Sequence, residues 1–210
     1  MTRVKVCGIT RAEDAELAVE LGAWAIGFIL WPRSRRHVDP AMAAGIARAV
    51  RRRVQLVGVF VNPTLDEVAH AADLIGLTHI QLHGDEGPSF CAAAAQRTGA
   101  RVIKALRVRS RADVADAARY HTDLHLLDSA GNGEVWDWGL AAARRSSSPL
   151  LVAGGLTAEN VGEAIAAVRP WGVDVASGVE SEPGIKDPAR VRAFIDAVAA
   201  ADRPAAGAHA

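Results

Sequence analysis

The sequence predicts an α/β protein, a single (β/α)8 TIM barrel with parallel strands, on three observations. Eight short apolar segments recur along the 210 residues. Each is separated from the next by a stretch with helical spacing, and strict strand–helix alternation requires a parallel sheet. Eight such units close into a barrel more often than they form an open doubly wound sheet.

The strand segments are Val4–Cys7, Ala25–Leu30, Leu56–Val61, His79–Leu82, Val102–Leu106, Leu124–Leu127, Leu150–Ala153 and Val173–Ala176. Each is short and mostly apolar, as a strand buried on both faces must be. The helices announce themselves at their ends. Thr10 with Glu13, and Thr64 with Glu67, have the spacing of a capping box, in which each side chain satisfies a free N–H of the first turn. Asp39-Pro40 and Asp187-Pro188 each pair an N-cap with a proline at the first helical position. Ser110 and Thr157 are further N-cap candidates, and Gly22, Gly76 and Gly99 stand where helices should stop. In the last helix Val191, Phe194, Ile195 and Val198 share one face. The sixth helix, expected over Trp138 to Arg145, has the faintest helical pattern. No linker divides the chain, so residues 1–201 are read as one barrel domain. Residues 202–210, DRPAAGAHA, lack an apolar period and are expected to fray.

Composition narrows the function. Lysine and arginine together number 24, equal to aspartate and glutamate, so no general attraction to nucleic acid or to an anionic membrane is expected. Cys7 and Cys91 form neither a CxxC pair nor a metal-ligand cluster, which argues against a disulfide framework and a zinc site. The opening MTRVKVCGIT has no signal-like apolar run, and no stretch reaches the ~20 apolar residues of a membrane helix. The expected setting is the cytoplasm. Oligomeric state stays open between monomer and homodimer.

In such a barrel the chemistry belongs to the loops that follow the strands. After the seventh strand comes Gly154-Gly155-Leu156-Thr157, and after the eighth Ser177-Gly178-Val179-Glu180. Glycines admit an anion close to backbone N–H groups, and these two loops are where the fold usually seats a phosphate. One such loop alone would read as a tight turn; the pair points to a phosphorylated substrate. The first strand ends in Cys7, either a base or nucleophile if its thiolate is stabilised, or a buried core cysteine. Cys91, mid-helix among alanines, is read as core. Asp128 ends an apolar strand, which is costly for a carboxylate that is neither used nor paired. Opposite a thiol it would make an acid–base pair. Arg33, Arg35 and Arg36 follow the second strand and suit a carboxylate or phosphate, or a solvated basic loop. His83 either orients substrate or bonds to a loop. Asp174, inside the eighth strand, is read as structural.

With these residues in place, the chain resembles the phosphoribosylanthranilate isomerases of tryptophan biosynthesis. The resemblance runs through Val4-Lys5-Val6-Cys7-Gly8-Ile9-Thr10, Gly27-Phe28, the Pro32–Arg36 loop and Val57-Gly58-Val59-Phe60-Val61-Asn62. It continues in Gln81-Leu82-His83-Gly84, Leu126-Leu127-Asp128-Ser129 and Ala153-Gly154-Gly155-Leu156. Gly172-Val173-Asp174-Val175, Ser177-Gly178-Val179-Glu180 and Pro183-Gly184-Ile185-Lys186-Asp187 complete it. These blocks, in order, span nearly the whole chain. The resemblance implies an Amadori rearrangement that needs no cofactor and no metal. It implies Asp128 as general acid and Cys7 as general base. It also implies Arg36 near the anthranilate carboxylate, and Gly154, Gly155, Ser177 and Gly178 around the phosphate. Three positions depart from the family pattern. The loop after Asp128 is shortened, with Asn132 where threonine is expected. Arg35 replaces a proline, and Ala176 replaces a serine. A related isomerase of histidine biosynthesis uses two aspartates and two phosphate cradles. Here the first strand ends in cysteine, and Asn62-Pro63-Thr64 is no cradle. A barrel that binds phosphosugars without catalysis would have lost the acid or the base, and both are present.

Overall fold

A computed structural model describes residues 1–129 and 135–203. Its strands are β1 (Arg3–Cys7), β2 (Ala25–Ile29), β3 (Gln55–Phe60), β4 (His79–Leu82), β5 (Arg101–Val108), β6 (Leu124–Ser129), β7 (Leu150–Val152) and β8 (Gly172–Val175). Each strand pairs in parallel with its neighbour, and β8 pairs with β1 to close the barrel. The helices α1 (Ala12–Glu20), α2 (Pro40–Val50), α3 (Leu65–Ile75), α4 (Pro88–Thr98), α5 (Arg111–Asp116), α6 (Val161–Val168) and α7 (Pro188–Ala201) surround it.

Strand parity sorts the core into two layers, because successive side chains point to opposite faces. Val4, Val6, Ile26, Phe28, Leu56 and Ile80 face outward and join the helices in one buried cluster. Burial of a side chain such as Phe28 contributes about 1.5–3 kcal/mol. Cys7, Ala25, Val57, Ile103, Leu126 and Leu151 belong to a second cluster inside the barrel. The same parity sends Lys5 of β1 and Asp174 of β8 inward. They stand opposite each other in the register of the closing pair, with Lys5 Nζ 2.9 Å from Asp174 Oδ1.

Most helix ends follow the sequence. Thr64–Glu67 is a full capping box, and Ser110 forms one with Asp113. Asp39 and Asp187 accept backbone N–H groups of the first turns of α2 and α7. Gly76 and Gly99 close α3 and α4 in the left-handed conformation.

Four expectations are corrected. Thr10 does not cap α1. Its hydroxyl donates to the Gly184 carbonyl, and Arg11 occupies the N-cap position. Thr157 does not cap α6; Asn160 holds that position and its side chain accepts the Thr157 N–H. The stretch expected as a sixth helix over Trp138 to Arg145 is a 3-10 segment, Trp138–Ala143. Asp137 caps it, and the indole N–H of Trp136 just before it donates to Ala153 O. Asp202 is tied down rather than frayed, since its carboxylate accepts the Thr2 N–H and hydroxyl. An unforeseen two-stranded hairpin, β9 (Glu180–Glu182) and β10 (Ile185–Lys186), follows β8. The expectation of a fraying tail over residues 204–210 lies outside the described residues, as does the Asn132 position.

Candidate active site

The end of the barrel where the strands finish carries the polar side chains singled out in the sequence. Cys7 is the last residue of β1 and faces inward, 5% exposed. Burial pushes its thiol pKa up, and Asp174 adds to that. The ammonium groups of Lys5 and Lys186 pull the other way. Gly8, the next residue, has a positive φ of 76° and lies under the Arg36 stem, where an added Cβ would come 2.9 Å from Arg36 Cδ. The Arg36 stem is thereby packed against the residue that follows Cys7.

The guanidinium of Arg36 grips Glu180, with Nε 2.9 Å from both carboxylate oxygens and Nη2 2.8 Å from Oε2. Glu180 also takes the buried Lys186 ammonium at 2.8 Å and the Gly184 N–H. The β9–β10 hairpin therefore orients Arg36. Burial lowers the Lys186 pKa, although Glu180 opposes this.

Asp128 is inward-facing near the end of β6, and its side chain is 25% exposed. Oδ1 accepts the Ser129 N–H at 2.7 Å, and Oδ2 lies 3.3 Å from His83 Nε2. On its other side His83 Nδ1 lies 3.3 Å from Gln81 Nε2. An amide N–H donating there leaves the Nε2 proton for Asp128. His83 thus meets the candidate acid directly. It is held in place by the next loop, since Glu86 accepts the N–H groups of Gly84 and Asn62 and pairs with buried Lys104 at 2.8 Å.

The two glycine loops pack on this centre. Gly154 has a φ of 90°, and an added Cβ would fall 2.6 Å from Ser129 N and 2.9 Å from Asp128 Oδ1. A Cβ on Gly178 would overlap the Leu156 carbonyl oxygen, so the loops after β7 and β8 touch. Asn160 braces the first loop by donating to Gly155 O and accepting from Thr157 N. Ser177 and Gly178 open a single 3-10 turn, whose first N–H groups have no partner within the turn. Cys91 is buried in α4 and apart from this centre.

The structure thus brings Cys7, Asp128, Arg36, His83 and both glycine loops to one end of the barrel. It adds residues the sequence reading left aside or called structural: Lys5, Asp174, Lys186 and Glu180. A lysine two residues before Cys7 in an apolar strand must point to the same interior, and that parity was the available signal.

A family model described as N-(5'-phosphoribosyl)anthranilate (PRA) isomerase matches residues 4–197. The N-(5'-phosphoribosyl)anthranilate isomerase of Geobacter sulfurreducens is 47% identical over 201 residues, covering 93% of this chain and 97% of its own. The crystal structure of phosphoribosyl anthranilate isomerase from Thermus thermophilus superposes with a TM-score of 0.89 at 39% identity, covering 95% of this chain and 99% of that one. Another structure of such an isomerase holds reduced 1-(o-carboxyphenylamino)-1-deoxyribulose 5-phosphate. It matches at a TM-score of 0.85 and 39% identity, over 95% of this chain and 100% of its own. With a thiol, a carboxyl and two glycine loops at the strand ends, and with likeness over nearly its whole length, the chain belongs to the N-(5'-phosphoribosyl)anthranilate isomerase family.

Proposed function

We infer that this chain catalyses the Amadori rearrangement of N-(5'-phosphoribosyl)anthranilate to 1-(2-carboxyphenylamino)-1-deoxyribulose 5-phosphate, a step of tryptophan biosynthesis in the cytoplasm. The observation that carries the assignment of roles is the shared inward parity of Cys7 and Asp128 at one end of the barrel, beside both glycine loops. Asp128 gives its proton to the ribose ring oxygen as the C1′–O bond breaks and the anilino nitrogen forms an iminium. The Cys7 thiolate removes the C2′ proton, which the iminium has acidified, and the electron pair moves to make an enolamine. Tautomerisation then delivers the ketone. An acid and a base on opposite sides of the reacting carbons meet the need of both proton transfers.

The phosphate is seated by the N–H groups of Gly154, Gly155, Ser177 and Gly178, which supply donors without side-chain bulk. Arg36, oriented by Glu180, offers its remaining N–H groups to the anthranilate carboxylate. His83 keeps Asp128 in place. A substrate with a phosphate at one end and an aromatic carboxylate at the other matches anion sites at two edges of the same mouth.

The test is the loss of phosphoribosylanthranilate fluorescence on adding purified protein. The unaltered chain is expected to consume it with saturation. Cys7→Ala and Asp128→Asn are each expected to abolish turnover with folding intact. Near-normal rates in either variant would overturn the assigned roles.

A further inference from the structure

We propose that Lys5, anchored by Asp174, is a positioning residue that holds its ammonium beside the Cys7 sulfur and stabilises the thiolate. Lys5 and Cys7 are two apart on β1, so both project into the barrel, with Lys5 one layer deeper. The position an added Cβ would take on Gly27 lies 2.8 Å from Cys7 Sγ and 3.1 Å from Lys5 Nζ. The lack of a side chain on β2 at that point lets the two groups converge.

Lys5 is fully buried, with no route for its charge to water. A lone ammonium there would be very unfavourable, and a buried lysine without a partner usually sheds its proton. Asp174 prevents this. The 2.9 Å contact is in register across the strand pair that closes the barrel. Burial works against the Lys5 charge, but Asp174 and Cys7 together outweigh it and leave its pKa above the ordinary value. The ion pair with Asp174 is thus what favours the charged form of Lys5 in this buried place.

Its effect on Cys7 is opposed by other groups. Burial raises the thiol pKa most, and Asp174 raises it further; Lys5 is the strongest influence lowering it, ahead of Lys186. Arg36 reaches the site from the loop after β2, and Asp128 and His83 face it from β6 and the loop after β4. Asp174 is near enough to sense Asp128 and His83 as well as Lys5. Among these cations Lys5 pulls hardest toward the thiolate, and its place two residues before Cys7 on β1 fixes it inside the barrel. Such an arrangement gives a buried thiol the means to act as a base without exposing it to solvent and oxidation.

The proposal rests on Cys7 as the base, but its test reads the thiol itself. In a Cys91→Ala background Cys7 is the sole thiol, and its ionisation is followed by thiolate ultraviolet absorbance and by the pH dependence of iodoacetamide alkylation. Lys5→Met is expected to move the midpoint alkaline by about one pH unit or more, leaving about tenfold less thiolate at neutral pH. Asp174→Asn is expected to move it alkaline as well, because Lys5 without its partner loses its proton. The Lys5→Met/Asp174→Asn double variant, which leaves no buried unpaired charge, is expected to fall between Lys5→Met and the parent. It serves as the alkaline-shift test if the single variants unfold. An unchanged midpoint in Lys5→Met or in the double variant, or an acid shift in Asp174→Asn, would overturn the proposal. The acid limb of kcat/KM is expected to move in parallel. A moved thiol midpoint with an unmoved limb would retain Lys5 and reject Cys7 as the base.

Discussion

Cys7 and Asp128 face the same cavity but are supported in different ways. The thiol is buried and surrounded by fixed cations, whereas the carboxyl stands nearer the rim, held by a backbone N–H and an imidazole. A base that abstracts a carbon-bound proton gains from exclusion of water, and an acid that must be reprotonated each turnover gains from access to it. Polar residues at the other end of the barrel serve stability instead. His79 opens β4, packs edge-on to Trp24 at 5.2 Å, and Trp24 in turn meets Trp171 at 4.8 Å. Burial, with Arg101 adding to it, pushes the His79 pKa down to about 4. The folded protein therefore keeps this imidazole neutral above about pH 4, while the unfolded chain protonates it below about 6.5. Between those values the unfolded state binds more protons, so stability falls as pH falls. Thermal unfolding followed from pH 7 to 4.5 is expected to show a declining Tm, with a shallower decline in His79→Gln. Parallel curves for the two proteins would remove His79 as a cause.

The loops that hold the site are themselves held by buried charge pairs between elements. Glu86 joins the loop after β4 to β5 through Lys104, and to the loop after β3 through the Asn62 N–H. Glu180 does the same for the β9–β10 hairpin and the Arg36 loop. Removing one member of such a pair leaves a buried charge without its partner, at a cost of about 3–5 kcal/mol, whereas replacing both is often nearly neutral. Urea unfolding is expected to show Glu86→Ala destabilised on that scale, with much of the loss recovered in Glu86→Ala/Lys104→Met. A double variant no more stable than the single would mean that the lost N–H contacts to Gly84 and Asn62 dominate. The individual strands were legible because each is a short apolar run, and so were the caps at Thr64, Ser110, Asp39 and Asp187, whose partners lie within three residues. Thr10 was misread for the opposite reason. Its local capping option competes with a carbonyl 174 residues away, and the distant partner wins. The β9–β10 hairpin had a signal in Pro183-Gly184, since glycine after proline favours a tight turn and Gly184 has a φ of 87°. The 3-10 segment after β6 had none beyond a faint periodicity.

Closure of the barrel brings together residues from the two ends of the chain, and much of the site's electrostatics depends on that seam. Lys5–Asp174 spans 169 positions and Arg36–Glu180 spans 144. Sequence reasoning placed Cys7 and Asp128 at the mouth because each stands at the end of an apolar strand segment. It could not pair Lys5 with Asp174, because their contact follows from the register between the first strand and the last. That seam extends outward. Arg3 lies over the Trp171 ring at 4.3 Å, and Asp202 at the end of α7 accepts both the N–H and the hydroxyl of Thr2, the latter at 2.8 Å. An acid at a helix C-terminus opposes the helix dipole by about 0.3–1 kcal/mol. Two hydrogen bonds to a carboxylate, each worth about 1.5–3 kcal/mol when well made, outweigh that even after allowance for partial exposure. Asp202→Ala is therefore expected to lose about 1–2 kcal/mol net, or about 2–8 °C in Tm for a chain of this size. Thr2→Val keeps the backbone bond and is expected to lose less than Asp202→Ala. The site lies at the opposite end of the strands from Thr2, so kcat/KM at low temperature is expected to stay unchanged in both. An unchanged or raised Tm in Asp202→Ala would show that the dipole penalty prevails and that this contact does not help to close the barrel.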